Sequence, residues 1–127
     1  MFFLRVLLLP FAFLYGLITK IRNLLFDFGV FTSKEYQTKS ISVGNITVGG
    51  TGKSPHIEYL INLLNDDFKL ATLSRGYQRK TKGYLVADEK STYAEIGDEP
   101  MQFHTKFNGV TIVVDENRQR GIENIEK

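Results

Sequence analysis

Twelve residues, Gly44-Asn45-Ile46-Thr47-Val48-Gly49-Gly50-Thr51-Gly52-Lys53-Ser54-Pro55, limit what this chain can fold into more than any other stretch. They follow an alternating run, Ile41-Ser42-Val43, that reads as a strand. They precede Ile57, Leu60, Ile61 and Leu64, whose spacing marks one face of a helix. Strand, glycine-rich turn, Gly-Lys-Ser and helix form the context of a phosphate-binding loop. Glycine lets the backbone wrap close to an anion and turn successive N–H groups inward, and the helix start adds partial positive charge. Thr47, Val48, Gly49, Gly50, Thr51, Gly52, Lys53 and Ser54 would line such a cradle. Lys53 is spaced to reach the terminal phosphates of a nucleotide, and the Ser54 hydroxyl to bind Mg²⁺. The pattern G-x-x-x-x-G-K-[ST] expects glycine where Thr47 stands; Gly49 and Gly50 offer that freedom two residues later.

The first thirty residues are a different material. From Phe2 to Ile18 the only charge is Arg5. As a helix this run is about 25 Å long, borderline for a hydrocarbon core of roughly 30 Å. Pro10 is expected to kink or break it. Ile21, Leu24, Leu25 and Phe28 then repeat a helical spacing, with Lys20, Arg22, Asn23 and Asp27 on other faces and Gly29 as a stop. An apolar anchor and an amphipathic helix flanked by Arg5, Lys20 and Arg22 suit an anionic membrane surface. A transmembrane span, a signal peptide and a core helix compete with surface insertion. The length and flanks favour insertion or a short anchor.

Residues 31–39 read as a polar linker, and residues 40–127 as a layered domain. Lys69–Ser74 and Tyr84–Ala87 read as strands, Met101–Phe107 as a helix, Val110–Val114 as a strand buried on both faces, and Asn117–Lys127 as a helix with Ile122 and Ile125 inward. Strands alternating with helices predict an α/β fold whose parallel sheet is flanked by helices, with ligands at the carboxyl ends of the strands. The chain has no cysteine, so disulfide and thiol chemistry are excluded. A net charge of +2 is no nucleic-acid signature, and no nucleic-acid partner is expected.

Three further motifs fall at strand ends. Ser74-Arg75-Gly76-Tyr77 closes the second strand, ahead of Arg79, Lys80 and Lys82. Gly97-Asp98-Glu99-Pro100 starts a helix, and Asp115-Glu116-Asn117-Arg118 follows the buried strand. Each also has a structural explanation: acidic capping of a helix start, a solvated basic loop, and pairing of Arg118 with Asp115 or Glu116. His56 and His104 read as surface or packing residues.

The combination resembles the tetraacyldisaccharide 4'-kinase family: the Gly44–Pro55 loop, then Leu73-Ser74-Arg75-Gly76-Tyr77, then Gly97-Asp98-Glu99-Pro100, behind an apolar N-terminal helix. The resemblance implies a P-loop NTPase-like fold behind a membrane-associated helix. It implies ATP and Mg²⁺ as cofactors, a lipid A precursor glycolipid as acceptor, and a place at the cytoplasmic face of the bacterial inner membrane. The family's loop also lacks the first glycine, which fits Thr47. By the same resemblance Lys53 would hold the β- and γ-phosphates and Ser54 the metal. Asp98 would be the general base toward the sugar 4'-hydroxyl, and Glu99 a neighbouring carboxylate important to activity. Tyr77 and Arg118 would lie near the transferred phosphate or the acceptor. The similarity covers essentially the whole chain but only the first third or so of a family member. The family's acidic Mg²⁺ pair and catalytic histidine fall past Lys127, so this appears as an incomplete domain expected to be inactive alone. The alternatives are another membrane-attached phosphate-loop ATPase or GTPase, and a non-catalytic nucleotide-binding fragment.

Overall fold

The computed structural model describes residues 2–45 and 51–127, in two compact units, Met1–Glu35 and Tyr36–Lys127. The first unit is built on one helix, α1 (Phe2–Asp27). The expected break at Pro10 does not occur. Good helix formers on both sides carry the helix past the one backbone donor that proline lacks. The end is as the sequence suggests. Gly29 takes a left-handed φ of 70° and donates to the Phe26 carbonyl at 3.0 Å. Phe31 then folds back, its ring meeting that of Phe26 edge-on at 5.3 Å between centroids. Within α1, the 20 residues Leu8–Asp27 hold an 18-residue window of mean hydropathy 1.3 and are long and apolar enough to cross a bilayer. Phe11, Phe13 and Tyr15 are each at least 67% exposed.

The second unit contains α2 (Lys53–Leu64), β1 (Ala71–Ser74), β2 (Leu85–Val86), α3 (Tyr93–Ile96), α4 (Asp98–Lys106), β3 (Thr111–Val114) and α5 (Arg118–Ile125). The sheet order is β1-β3-β2. β1 runs parallel to β3, with Ala71 opposite Thr111 and Ser74 opposite Val114. β2 runs antiparallel, with Leu85 opposite Val114. The expected all-parallel sheet is therefore corrected to a mixed one. The link between β2 and β3 holds only short α3 and α4, and it returns the chain antiparallel beside β3. Ile41-Ser42-Val43, expected as a strand, joins no ladder, and Ile41 is 65% exposed. β3 already has a neighbour on each edge.

The β-branched run that becomes β3 is the centre of the unit, and Ile112, Val113 and Val114 are all buried. Successive side chains on a strand point to opposite faces, and here each face has a helical cover. Ile112 packs with Ile61 of α2 and with Phe103, Phe107 and Val110 on and after α4. On the other face Gly121 of α5 lies so close to β1 that an added Cβ would stand 2.7 Å from a Leu73 methyl. Outside the core, α2 and α4 are tied by Glu58, which accepts from Lys106 Nζ at 2.6 Å and from Gln102 Nε2 at 2.9 Å.

The four-residue α3 is absent from the sequence reading. It is held by a capping box in which Thr92 and Glu95 bond reciprocally. It ends at Gly97, whose φ of 92° and ψ of 166° only glycine adopts freely. A Cβ there would sit 2.8 Å from the Tyr77 carbonyl oxygen. Gly97→Ala should therefore cost about 3 kcal/mol, read as a lowered urea midpoint; an unchanged midpoint would show that the contact yields freely.

Candidate active site

β1 and β3 are parallel and in register at their last residues, so the loops that follow them leave the sheet at the same end. Ser74–Tyr77 and Asp115–Arg118 are thereby brought side by side. A backbone bond, Asp115 N–H to the Ser74 carbonyl at 2.9 Å, carries the ladder one step into these loops.

Two glycines bring in the third motif. Gly76 has a φ of 66°, and a Cβ on it would lie 2.7 Å from the Ile96 carbonyl oxygen. Gly97 faces it, and a Cβ there would meet the Gly76 backbone at 3.1 Å. The Ser74–Tyr77 turn and the start of α4 thus pack main chain against main chain. Asp98 and Glu99 occupy the first turn of α4, where carboxylates are favoured. Asp98 is exposed and Glu99 half-buried.

The fourth motif joins through Glu99, whose Oε1 accepts from Ser54 Oγ at 2.5 Å. Ser54 and Lys53 open α2, behind Gly52 with a left-handed φ of 75°. Lys53 Nζ donates to Asn45 Oδ1 at 3.2 Å. His56, read from the sequence as a surface or packing residue, has its ring Nδ1 2.8 Å from the Gly52 carbonyl oxygen. An unbroken series of contacts so links Lys53-Ser54, Glu99, Gly97, Gly76, Ser74 and Asp115. Thr51 is exposed; Thr47, Val48, Gly49 and Gly50, expected to line the cradle, lie outside the described residues.

The charges at this end are largely paired. Asp115 is fully buried. Its Oδ2 accepts from Arg120 Nε at 2.9 Å, and its Oδ1 from Arg120 Nη2 at 2.6 Å and from the Asn117 N–H at 2.8 Å. The Arg120 bonds lead in holding the Asp115 carboxyl below the ordinary range, and the same pairing raises the guanidinium. Glu116 is lowered first by its own and the Gly83 N–H groups, and then by Arg120 and Arg79.

Two sequence expectations need correction here. Arg120, not Arg118, pairs with Asp115 and Glu116. The Asn117 side chain caps α5 by accepting from the Arg120 N–H at 3.1 Å, which turns Arg120 back toward the strand end. Arg118 is exposed and makes no hydrogen bond or ion pair among the described residues. Arg79, grouped with a solvated basic loop, has a side chain only 4% exposed. It donates to the Gly83 carbonyl at 2.8 Å and pairs with Glu116, which pins the loop that carries Tyr77. Arg75, Lys80 and Lys82 remain exposed, and Tyr77 is 82% exposed.

The donor set suits a polyphosphate and a hard divalent cation: a lysine held by an amide oxygen, the N–H groups of a helix start, and a hydroxyl beside a carboxylate. Among the described residues no three His, Cys, Asp or Glu side chains gather as a metal cluster.

The chain is similar to known proteins in both sequence and fold. The family model for LpxK, tetraacyldisaccharide-1-P 4'-kinase, matches residues 4–127. The tetraacyldisaccharide 4'-kinase of Flavobacterium johnsoniae is 56% identical over 119 residues, covering 94% of this chain and 35% of the relative. That of Parabacteroides distasonis is 53% identical over 119 residues, covering 94% and 32%. Among solved structures, LpxK from Aquifex aeolicus in complex with ATP superposes with a TM-score of 0.79 at 42% identity, over 98% of this chain and 41% of that one. The chain spans about a third of the length of the curated relatives it matches.

Stability should follow the Asp115 carboxylate. Its folded pKa is depressed below the ordinary value of about 3.9, so its contribution is complete above that value and is lost as pH falls through the folded one. Urea unfolding followed from pH 7 to acid should show a steeper acid loss for the native chain than for Asp115→Asn. Identical acid limbs would remove Asp115 as the source.

Proposed function

The chain belongs to the tetraacyldisaccharide 4'-kinase family, and from that premise we propose that it carries the nucleotide-binding and base-bearing part of a lipid A 4'-kinase. The reaction is transfer of the γ-phosphoryl group of ATP to the 4'-hydroxyl of a tetraacyldisaccharide 1-phosphate. The observation that carries this reading is the Ser54–Glu99 hydrogen bond, which joins the phosphate-loop serine to the Asp98-Glu99 pair across 45 residues of sequence. The ATP complex of the solved relative supports the nucleotide.

Each residue then has a physical task. Lys53 and the amides of the loop hold the β- and γ-phosphates, and Ser54 Oγ is a ligand for Mg²⁺. Bound ATP and Mg²⁺ supply the transferable phosphoryl group and neutralise its charge. Asp98 stands exposed at the start of α4, one residue from Glu99. It orients the acceptor hydroxyl and takes its proton as the 4'-oxygen bonds to phosphorus. The bond to the β-phosphate oxygen breaks, leaving ADP. A carboxylate suffices because proton loss is late in a loose transition state, so alignment matters more than basicity. Arg118 and Tyr77, both exposed at the same end of the sheet, face incoming phosphate or acceptor.

The acceptor's acyl chains remain in a bilayer, and the exposed apolar surface of α1 suits an interfacial or spanning anchor in the inner membrane. Arg75, Lys80 and Lys82 are the exposed basic residues available to anionic headgroups or to the acceptor's own phosphate.

In the whole protein, Lys53→Ala should weaken ATP binding at least about tenfold, as expected for loss of a charged contact. Asp98→Asn should keep ATP affinity and lose turnover by about a hundredfold or more. Turnover retained in Asp98→Asn would remove the base assignment, and unchanged ATP affinity in Lys53→Ala the nucleotide site.

A further inference from the structure

We infer that His56 is a positioning residue for the phosphate loop: its imidazole grips the Gly52 carbonyl and so aims the Gly52–Lys53 peptide N–H at a bound polyphosphate. The inference rests on the nucleotide-site reading and adds to it a residue that touches no phosphate.

The geometry is local. His56 lies in the first turn of α2, four residues after Gly52. Its backbone N–H donates to the Gly52 oxygen at 3.2 Å, and its ring Nδ1 lies 2.8 Å from the same atom. A carbonyl oxygen only accepts, so Nδ1 is the donor and the ring's tautomer is set. Both lone pairs of the carbonyl are then engaged, and the ring supplies the shorter bond.

This matters because, among the described residues, the first bond of the helix ladder is the one other hydrogen bond on Gly52. Its φ of 75° is left-handed, and it has no side chain to lock the turn. The His56 N–H supplies the first bond of the helix ladder, and Pro55, at the start of the helix, has no N–H to give. In a trans peptide the C=O and the following N–H point in opposite directions. Drawing the Gly52 oxygen down into the helix turns the Lys53 N–H outward. That N–H is among the unpaired donors of the helix start, where an anion binds. An unclamped glycine could rotate the peptide and lose that donor.

Another side chain can do the same work. In α5, Asn124 Nδ2 donates to the Arg120 carbonyl at 3.1 Å, at the same four-residue spacing. The test compares His56→Phe, which keeps a ring without a donor, with His56→Asn, which keeps a donor without the ring. Both changes are at an exposed position. Binding of ATP and of inorganic triphosphate to the whole protein should weaken about five- to tenfold in His56→Phe, the scale of one lost hydrogen bond, and return to within about twofold of the native value in His56→Asn. The ¹⁵N spectrum of the nucleotide-free protein should show the neutral ring protonated at Nδ1. Native affinity in His56→Phe, equal loss in both variants, or a proton on Nε2 would each overturn the inference. Lys53→Ala run in parallel separates the two levels. If it weakens binding while His56→Phe does not, the phosphate site stands and the role of His56 falls; if it has no effect, both fall.

Discussion

Two backbones touching at Gly76 and Gly97 hold this end of the molecule together. A side chain at Gly97 would strike main chain, and one at Gly76 would strike both the Ile96 carbonyl and the buried Arg79 side chain. The approach is available only because both residues take positive φ, where other residues are strained. Once it forms, the turn after β1 and the start of α4 become one surface. Asp98, Glu99 and Tyr77 then share a neighbourhood although they come from different loops. The Ser54–Glu99 bond extends that surface to α2, and the Ser74–Asp115 backbone bond extends it to α5.

The arginines divide into two kinds. Arg79 and Arg120 are spent on structure: one crosses a loop to Glu116 and Gly83, the other closes a fork on Asp115. Burying a carboxylate such as Asp115 is costly unless it is paired and hydrogen-bonded, and three donors meet that need here. The effect is to hold the starts of two loops still. Arg75 and Arg118 stay at the surface, at the end of the sheet where an anionic ligand would arrive.

Much of this could be read from residues alone. The β-branched run before Asp115 announced a doubly buried strand, and the Ile57–Leu64 spacing announced α2. Glycine followed by Asp-Glu-Pro announced the start of α4. What escaped reading was whatever depends on partners distant in sequence. The direction of β2 is set by its pairing with Val113 and Val114, which no local pattern encodes. Ile41–Val43 has the right alternation for a strand but no free edge of β3 beside it. The exchange of Arg118 for Arg120 follows from where Asn117 starts the helix, a shift of two residues that reverses which arginine faces the strand. The helix α3 went unread although Thr92-Tyr93-Ala94-Glu95 carries a capping box. Four residues are too few for a hydrophobic period to show.

The order β1-β3-β2 also governs how the sheet can assemble. Of the three strands among the described residues, the middle one comes last in the sequence, so both flanks must wait for Thr111–Val114. Ala71 meets Thr111 across 40 residues of chain, and β1 and β2 have no ladder with each other on which a hairpin could start. Loop closure must therefore be met before any strand pairing rewards it. Until Thr111–Val114 has left the ribosome, neither the β1–β3 nor the β2–β3 pairing can form.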